Sequence, residues 1–401
     1  MNITSSHKRS KRRFSMYWIC CLFIGLLMQL PLNSHAQEGS RLQISLLTCT
    51  PGDELYSTFG HSAFRVIDSN SVTDLVYNYG TFNFEDEGFY LKFVQGKLLY
   101  YVSVENFSNF KYDYQSENRG ITEQVLQLTA EEKSRIRIFL NDNLKPENKY
   151  YKYDFFFDNC TTRLRDIIKK QRDSSFCKRL VMPAHSRFRQ AIHEYLDKND
   201  KDWSKLGIDI LLGLPCDGLM TAEQEQFLPD NLMKSLDSSN QQHLYVASEK
   251  QLYTLIPTPA DTNIFNPFTV FSLFLLFVVL LDFFSRKQTG FSLAKGILTG
   301  LDGLIFFLTG TLGIILIFMW LGTDHSMCKN NFNLLWAFPP HFIMAFFVNS
   351  KKAWVKKYFG FNSALLILLL ISWFFLPQQL NPGLIPFVLL LLYRSARIAR
   401  A

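Results

Sequence analysis

The sequence has no C-x-x-C pair, no internal repeat and no low-complexity segment. Zinc sites usually take ligands from closely spaced cysteines, so a structural zinc site is not expected, and neither a metal nor a cofactor is predicted. The absence of repeats excludes a repeat architecture. Cysteine is also scarce, since beyond residue 36 the chain has only Cys49, Cys160, Cys177, Cys216 and Cys328.

An odd number of cysteines leaves at least one thiol unpaired in an oxidising compartment. A disulfide among Cys49, Cys177 and Cys216 is compatible with the sequence, which does not assign its pairing. Cys160 is the thiol that needs an explanation, because polar residues suited to helix capping surround it.

Basic residues outnumber acidic ones, with a formal net charge of +7, but they do not mark a nucleic-acid surface. They stand beside apolar runs, as charges that orient membrane segments do. The clusters lie within 8–13, 286–295, 351–357 and 394–400. No nucleic-acid partner is therefore expected.

The N-terminus has the parts of a secretory signal. A basic stretch precedes an apolar run at 16–30, and Ser34 and Ala36 are small residues at the two positions that a signal peptidase reads. Residues 1–36 are therefore predicted to be a signal peptide, with an uncleaved anchor helix as the alternative. Both interpretations export the segment that follows.

Five apolar segments follow a stretch of mixed charge, at 265–284, 297–321, 332–349, 363–376 and 384–393. The first two are long enough to cross a hydrocarbon core of about 30 Å. If residues 37–261 lie outside the cytoplasm, every later basic cluster falls on the cytoplasmic side, as the positive-inside rule requires. The sequence therefore predicts a multi-pass inner-membrane protein with a periplasmic domain at 37–261, a transmembrane domain at 262–401 and a cytoplasmic C-terminus.

The segment Asp158-Asn159-Cys160 follows an aromatic run at 150–157, read as a strand, and precedes apolar residues at helical spacing. It predicts a helix that begins at Cys160. The first turn of a helix has unsatisfied amides and the positive end of the helix dipole, and both favour thiolate over thiol. A thiolate there can attack an ester or amide carbonyl. A lone cysteine at a helix start is more often structural, so the interpretation needs a partner for it.

Among the eight histidines, His61 is the best-placed partner, because it opens a predicted strand directly after Gly60. A glycine at this point lets another backbone approach closely. The returning strand of the hairpin brings Tyr77, Asn78 or Tyr79 near the imidazole as the residue that orients it, and the sequence does not choose among the three. A histidine on a strand is often only a satisfied polar residue.

Several motifs resemble the Lnb N-terminal periplasmic domain family and its membrane part. They are PGDELY at 51–56, FGHSAFR at 59–65, YNYGTF at 77–82, FDNCTTRLR at 157–165, FLP at 227–229, DH at 324–325 and NLLWA at 333–337. The resemblance implies a circularly permuted papain-like fold, related to lecithin:retinol acyltransferase-type enzymes, in which the histidine strand precedes the cysteine helix. It places the nucleophile on Cys160 and the general base on His61.

The fold class implied in this way is an α+β permuted papain-like extracytoplasmic domain with a helical appendage. An all-α bundle of about five transmembrane helices follows it. Chains with this arrangement resemble the Lnb-type lipoprotein N-acyltransferases of Bacteroides-like bacteria.

The resemblance implies a ping-pong acyl transfer. Cys160 would take an acyl chain from a membrane phospholipid as a thioester, and the amine of a lipoprotein's diacylglyceryl-cysteine would then accept it. The implied partners are a phospholipid donor, a diacylated lipoprotein acceptor and the lipid bilayer. The sequence does not identify the donor or the acyl chain.

Two other functions remain as alternatives. A membrane-anchored cysteine amidase or peptidase acting on the cell wall would use Cys160 and His61 but would need only one span. A non-catalytic membrane scaffold with a degenerate papain-like domain would not need the intact pair.

Polar residues on or beside the loop at 322–331 are candidates for lipid headgroup binding or for the floor of the catalytic cleft. They are Asp324, His325, Lys329, Asn330 and Asn333. The alternative is a solvated polar loop with helix caps. Asp302, near the inner end of the second apolar segment, is interpreted as a helix-start residue.

Overall fold

A computed structural model describes residues 41–172, 174–237, 245–256, 264–287 and 292–400. The predicted signal peptide at 1–36 lies outside the described residues, as does the predicted domain boundary near residue 261. The described chain has two regions: a sheet with surrounding helices up to Tyr253, and a set of long apolar helices from Pro267.

A seven-stranded antiparallel sheet is the centre of the first region, with the strand order β6-β4-β3-β2-β1-β5-β7. Its strands are β1 (Leu42–Cys49), β2 (His61–Asp68), β3 (Thr73–Thr81), β4 (Leu99–Asn106), β5 (Ile121–Leu126), β6 (Tyr150–Lys152) and β7 (Val246–Tyr253). Strand β2 pairs with both of its sequence neighbours. Tight turns suffice for such antiparallel connections, and the predicted hairpin at 60–80 is confirmed.

Helices cover both faces of the central strands. The first five are α1 (Phe89–Val94), α2 (Phe107–Ser116), α3 (Ala130–Asn143), α4 (Pro146–Lys149) and α5 (Cys160–Gln171). Phe64 and Leu164 belong to the core on one face of the sheet, and Val76 and Phe110 belong to the core on the other. A strand with buried side chains cannot slip its register without exposing them. The sheet therefore holds β2 and β3 at fixed positions relative to α5.

The aromatic run at 150–157, predicted to be one strand, forms a strand only over Tyr150–Lys152. The Asp154 carboxylate accepts hydrogen bonds from the N–H groups of Phe156 and Phe157 at 2.9 and 3.1 Å. Such side chain-to-backbone bonds favour a turn over a continuing strand. The prediction is therefore corrected, and the chain turns just before Cys160.

A cluster of short helices is the predicted helical appendage. It contains α6 (Phe188–Lys198), α7 (Asp202–Leu211), α8 (Ala222–Glu225) and α9 (Pro229–Leu236). At its centre the buried guanidinium of Arg189 lies 2.8 Å from Asp209 and 3.0 Å from Asp217. Buried charges need such pairing and hydrogen bonding, so this network fixes α6 against α7.

Amide side chains dock the appendage on the membrane region. Asn333 donates to the Asp209 carbonyl group at 3.0 Å, and Asn331 donates to the Ile210 carbonyl group at 2.8 Å. The Asn381 amide donates to the Asp209 carboxylate at 2.8 Å. These buried bonds are directional, so they set the orientation of the two regions.

The second region contains α10 (Pro267–Lys287), α11 (Ser292–Leu321), α12 (His341–Met344), α13 (Ala353–Ser372) and α14 (Ile385–Arg400). Four helical stretches of the described residues are long and apolar enough to cross a membrane: Pro267–Arg286, Leu293–Leu321, Ala353–Ser372 and Pro382–Arg400. Many of their Leu, Phe and Ile side chains are exposed. This exposure is expected where the surrounding solvent is lipid.

The third predicted segment, 332–349, is not a continuous helix, and it is not among the four stretches of the described residues that are long and apolar enough to cross a membrane. It forms the short turns Phe332–Leu335, His341–Met344 and Ala345–Phe347. Pro339 and Pro340 interrupt it, because proline lacks the N–H group that a helix interior uses. The segment instead runs along α11, where its neighbours in order are Gly313, Gly310 and Gly303. Irregular backbone is tolerated at membrane depth where protein covers it.

Asp302 lies inside α11, which begins at Ser292, so its interpretation as a helix-start residue is wrong. Its carboxylate accepts two hydrogen bonds from the Arg394 guanidinium, at 2.6 and 2.8 Å, and both side chains are buried. A two-point pair of this kind is the geometry that best compensates for burying two charges. It joins α11 to α14.

The possible disulfide among Cys49, Cys177 and Cys216 does not occur, since each is a free, buried thiol. The reason is their distribution: each packs in a different hydrophobic core. A disulfide requires Cα atoms within about 7 Å, so residues of separate cores are poor partners.

Replacing Gly310 or Gly313 by alanine should destabilise the membrane region. A Cβ on Gly310 would lie 2.0 Å from the Phe342 nitrogen, and one on Gly313 would lie 2.1 Å from the Ala337 carbonyl oxygen. Overpacking typically costs about 1–3 kcal/mol, so the purified protein should unfold at a lower temperature in detergent. Gly300→Ala is the control, because nothing lies within 4 Å of its Cβ position. Equal melting temperatures for the three variants would contradict this packing.

Candidate active site

Helix α5 begins at Cys160 because a reciprocal pair of hydrogen bonds caps it. The Asn159 side-chain oxygen accepts from the Thr162 N–H at 2.8 Å, and the Thr162 hydroxyl accepts from the Asn159 N–H at 2.8 Å. Such a capping box fixes where a helix starts. The Asn159 amide also donates to the Phe155 and Phe227 carbonyl groups, both at 2.8 Å. The predicted helix start is confirmed.

Strand β2 begins at His61, directly after a glycine that its surroundings require. Gly60 has a φ of 77°, and a Cβ there would lie 2.6 Å from the Cys49 carbonyl oxygen. A side chain at this position would be strained by the positive φ, and its Cβ would collide with the carbonyl oxygen. The predicted close backbone approach at Gly60 is therefore confirmed, and the approaching strand is β1. His61 pairs with Cys49 in the sheet.

The start of β2 and the first turn of α5 are joined to each other. Ser62 Oγ and Thr161 Oγ1 lie 3.1 Å apart, and both side chains are buried. The residues that precede them are His61 and Cys160, whose side chains are close enough to shift each other's pKa. The structure thus brings the two predicted site residues together.

Of the three candidates for orienting His61, Asn78 is the residue that contacts the imidazole. Asn78 Oδ1 lies 3.1 Å from His61 Nε2, which leaves Nδ1 for the thiol. Tyr77 donates its hydroxyl hydrogen to Asn141 at 3.1 Å, and Tyr79 is buried in the core.

A carboxylate extends the chain of hydrogen bonds beyond Asn78. Asn78 Nδ2 donates to Glu105 Oε1 at 2.9 Å, so the amide oxygen faces His61 and accepts from its Nε2–H group. His61, Asn78 and Glu105 line a cavity of about 250 Å³, together with Asp113 and Tyr114 among others. Pockets that enclose drug-sized ligands measure roughly 300–1,000 Å³, so this cavity takes only part of a lipid. No group of three or more metal-binding side chains occurs among the described residues.

The surroundings of Cys160 favour the thiolate. Burial by itself raises the pKa of the thiol, but the charge of His61 and hydrogen bonds from His61, the Ser62 N–H and the Thr161 hydroxyl outweigh burial and lower the pKa to about 7. Each of these groups stabilises the anion more than the neutral thiol. The predicted downward shift of the pKa is therefore confirmed, and neighbouring donors from two elements produce it.

His61 carries the complementary charge. Burial lowers the pKa of the imidazole, whereas the charge of Cys160 and the hydrogen bonds to Cys160 and Asn78 raise it, and the net result is a raised pKa. Burial and the Asp113 charge raise the pKa of Glu105 as well. Strongly interacting groups titrate as a pair, and these opposite pKa shifts favour a thiolate–imidazolium ion pair over two neutral groups.

Asp324 and His325 lie at the junction of the two regions and not among the residues that line the cavity. Asp324 forms an ion pair with Lys152 at 2.7 Å. His325 Nε2 lies 3.1 Å from the Phe93 carbonyl oxygen. Both residues therefore connect the outer end of α11 to the sheet region.

Lys329, Asn330 and Asn333 lie at the same junction, against the appendage. The Asn330 carbonyl accepts from the Leu214 N–H at 3.3 Å, and the Lys329 backbone contacts Gly213. Asn333 is buried and holds α7, as described above. These contacts are structural, and headgroup binding by the five residues stays a prediction.

Sequence reasoning missed Ser62, Thr161 and Glu105. The first two stand directly after the predicted residues, so the motifs FGHS and NCT already contained their signal. Glu105 lies on β4, opposite Val76 in β3. Its place beside Asn78 depends on strand register, which the sequence does not specify.

Comparisons with known proteins identify both regions. The model of the Lnb N-terminal periplasmic domain matches residues 34–195, and the model of the Lnb transmembrane domain matches residues 259–401. Together they cover more than half of the chain, and the first match includes His61, Asn78 and Cys160. No curated protein and no solved structure matches the chain. The domain before the spans is therefore extracytoplasmic, and the chain is a membrane protein.

The rate at which iodoacetamide alkylates Cys160 should rise with pH about a midpoint near 7. Only the thiolate reacts, and a lowered pKa means that the thiolate forms as the pH rises through about 7 rather than 9. The His61→Ala variant lacks the imidazole charge that lowers the pKa of Cys160, while the burial that raises this pKa remains. The midpoint of alkylation should therefore move to higher pH. Timed labelling and peptide mass spectrometry measure both rates, with Cys160→Ser as the blank. Identical midpoints in the two proteins would contradict the ion pair.

Asn78→Ala should slow acylation of Cys160 by a short-chain activated ester such as p-nitrophenyl butyrate. A positioned general acid–base group raises a reaction rate by about 10²–10⁴-fold. A loosely held His61 should lose about tenfold of this acceleration. Glu105→Gln keeps an oxygen acceptor for Asn78 and should react faster than Glu105→Ala. Stopped-flow release of p-nitrophenol across pH measures the rates. Equal rates for the two Glu105 variants would contradict a positioning role for this residue.

Proposed function

We propose, since the chain belongs to the Lnb family, that it is a lipoprotein N-acyltransferase. It would move an acyl chain from a membrane phospholipid, through a thioester on Cys160, to the N-terminal amine of a diacylglyceryl-cysteine lipoprotein. The observation that carries the proposal is the Cys160–His61–Asn78 arrangement in an extracytoplasmic domain that is docked on membrane-spanning helices.

In the first half of the reaction the Cys160 thiolate attacks the carbonyl carbon of a phospholipid ester. The carbonyl oxygen takes up the negative charge, and backbone N–H groups at the start of a helix are suited to stabilise it. When the carbon–oxygen ester bond breaks, the imidazolium of His61 gives its proton to the departing alkoxide. The products are an acyl thioester and a lysophospholipid.

In the second half the neutral amine of the lipoprotein attacks the thioester. His61, now uncharged, accepts the proton that the amine loses, and Cys160 leaves as the thiolate. An amide forms, and the ion pair is restored. The Asn78 oxygen holds the Nε2–H tautomer throughout, which leaves Nδ1 as the nitrogen that gives and accepts the proton.

The membrane region favours acyl transfer over the cell-wall alternative. An amidase or peptidase of the cell wall needs one anchoring helix, whereas the described residues have four helices long and apolar enough to span a membrane and an irregular segment between them. The buried bonds from Asn333 and Asn381 to Asp209 couple this region to the appendage. A lipid substrate explains why the domain that carries the thiol is docked on a large membrane domain.

The topology and the fold family belong to the same proposal. The protein would lie in the inner membrane with the sheet region in the periplasm and the C-terminus in the cytoplasm. The sheet region would be a circularly permuted papain-like domain, because β2 with His61 precedes α5 with Cys160 along the chain.

In a strain that lacks the gene, the wild-type protein should restore triacylated lipoproteins, and Cys160→Ser should not. Without the thiol no acyl thioester forms, so the lipoprotein keeps a free amine on its diacylated N-terminus. Mass spectrometry of the N-terminal peptide of a native lipoprotein measures the outcome. Cys177→Ala, which removes a buried thiol outside the site, is the control. Triacylated peptide in every strain, with no second enzyme present, would overturn the proposal.

A further inference from the structure

An exposed apolar surface lies on α1 and on the turn that precedes it. It consists of Phe84, Tyr90, Leu91, Phe93 and Val94, and is called the α1 surface below. Tyr90 is 74% exposed and Leu91 is 61% exposed. Contiguous large apolar side chains in water are uncommon and mark a contact with a protein or a membrane.

The α1 surface is attached to the end of the span α11. His325 Nε2 lies 3.1 Å from the Phe93 carbonyl oxygen, and a Cβ on Gly96 would lie 3.3 Å from the His325 ring. Helix α11 ends only a few residues earlier, at Leu321, which is 75% exposed. The α1 surface therefore lies beside the end of a helix that is long and apolar enough to span a membrane.

The residues of α1 suit the boundary between hydrocarbon and headgroups. Tyr90 and Phe93 are aromatic, and aromatic side chains are enriched at this depth. The exposed Lys92 and Lys97 have apolar stems that let their ammonium groups reach the headgroups. Phe89 points the other way and is buried in the core, so the helix is fixed to the sheet with its apolar face outward. A short amphipathic helix of this kind lies in the plane of the interface.

Aromatic contacts lead from the α1 surface to the catalytic thiol. Ring centroids are separated by 4.9 Å for Phe84–Phe82, 5.3 Å for Phe82–Tyr100 and 4.2 Å for Tyr100–Tyr153. Around the Cβ position of Gly80, Tyr153 lies at 3.7 Å and Cys160 at 3.6 Å. The cavity at His61 measures about 250 Å³, less than the roughly 300–1,000 Å³ of pockets that enclose drug-sized ligands, so we expect the acyl chain of a bound lipid to extend outside it.

We infer that the α1 surface is embedded in the outer leaflet of the bilayer and presents the acyl ester of a membrane lipid to Cys160. The occupant is lipid rather than a partner protein, because the surface is attached beside the end of a helix that is long and apolar enough to span a membrane. The membrane contact stands on the geometry alone, and only the delivery of an ester rests on the proposed function.

A fluorophore on α1 tests the membrane contact without requiring activity. Leu91→Cys in a Cys160→Ser background is labelled with an NBD dye and placed in nanodiscs of phosphatidylethanolamine and phosphatidylglycerol that contain an acyl-chain nitroxide lipid. The control is Val72→Cys, since Val72 is 90% exposed in the turn between β2 and β3, at the opposite end of that hairpin from α1. The parent without an added cysteine gives the labelling blank.

At position 91 the emission should shift to shorter wavelength and be quenched by the nitroxide lipid but not by iodide. At position 72 iodide should quench and the lipid should not. If position 91 responds as position 72 does, the α1 surface lies in water and the inference is overturned.

A second measurement tests delivery of the ester. The double variant Leu91→Asp, Phe93→Asp should lose acyl-enzyme formation from nanodisc phospholipid and keep its acylation by p-nitrophenyl butyrate, with Val72→Asp as the control. Unchanged acylation by phospholipid, or an equal loss with both esters, would overturn the delivery role. If neither ester acylates the unmodified protein, the proposed function fails, while the fluorescence result still decides the membrane contact.

Discussion

A thiolate that is partly removed from water has to regain the stabilisation that hydration supplied, and this constraint shapes the site. At Cys160 the compensation comes from the His61 imidazolium, the Ser62 N–H and the Thr161 hydroxyl. These groups belong to the start of β2 and the first turn of α5, so they converge only while the strand and the helix stay in contact. The buried Ser62–Thr161 hydrogen bond and the capping box at Asn159 hold that contact.

The same need for compensated burial recurs where the two regions meet and inside the membrane. Arg189 is buried against Asp209 and Asp217, and Asn381 adds a bond from the membrane region to the same Asp209 carboxylate. In the membrane region Asp302 and Arg394 neutralise each other between α11 and α14. Because directional bonds of this kind do not slide, the sheet region has a fixed height over the spanning helices. A fixed height matters for a thiol whose proposed substrate lies in the bilayer.

Local patterns in the sequence predicted the elements that carry the site. The cap before Cys160, the glycine before His61 and the hairpin at 60–80 each have a local physical cause, and each is present. Two other elements were predicted wrongly, although the causes of these errors are also local. The continuous strand at 150–157 and the helix at 332–349 were wrong because Asp154 closes a turn and two prolines interrupt a helix. The position of Glu105 beside Asn78 depends on the register of β4. The positions of the five polar residues on or beside the loop at 322–331 depend on how the two regions dock.

The central claim is that Cys160 carries the acyl chain between donor and acceptor. The most direct measurement is mass spectrometry of the Cys160 peptide from wild-type protein in phospholipid nanodiscs, first without an acceptor and then with a diacylated lipopeptide. The account predicts a hydroxylamine-sensitive acyl adduct on this peptide that disappears as the lipopeptide gains the same chain as an amide. An unmodified peptide alongside lipopeptide that still becomes acylated would contradict the account, because transfer would then bypass the thiol.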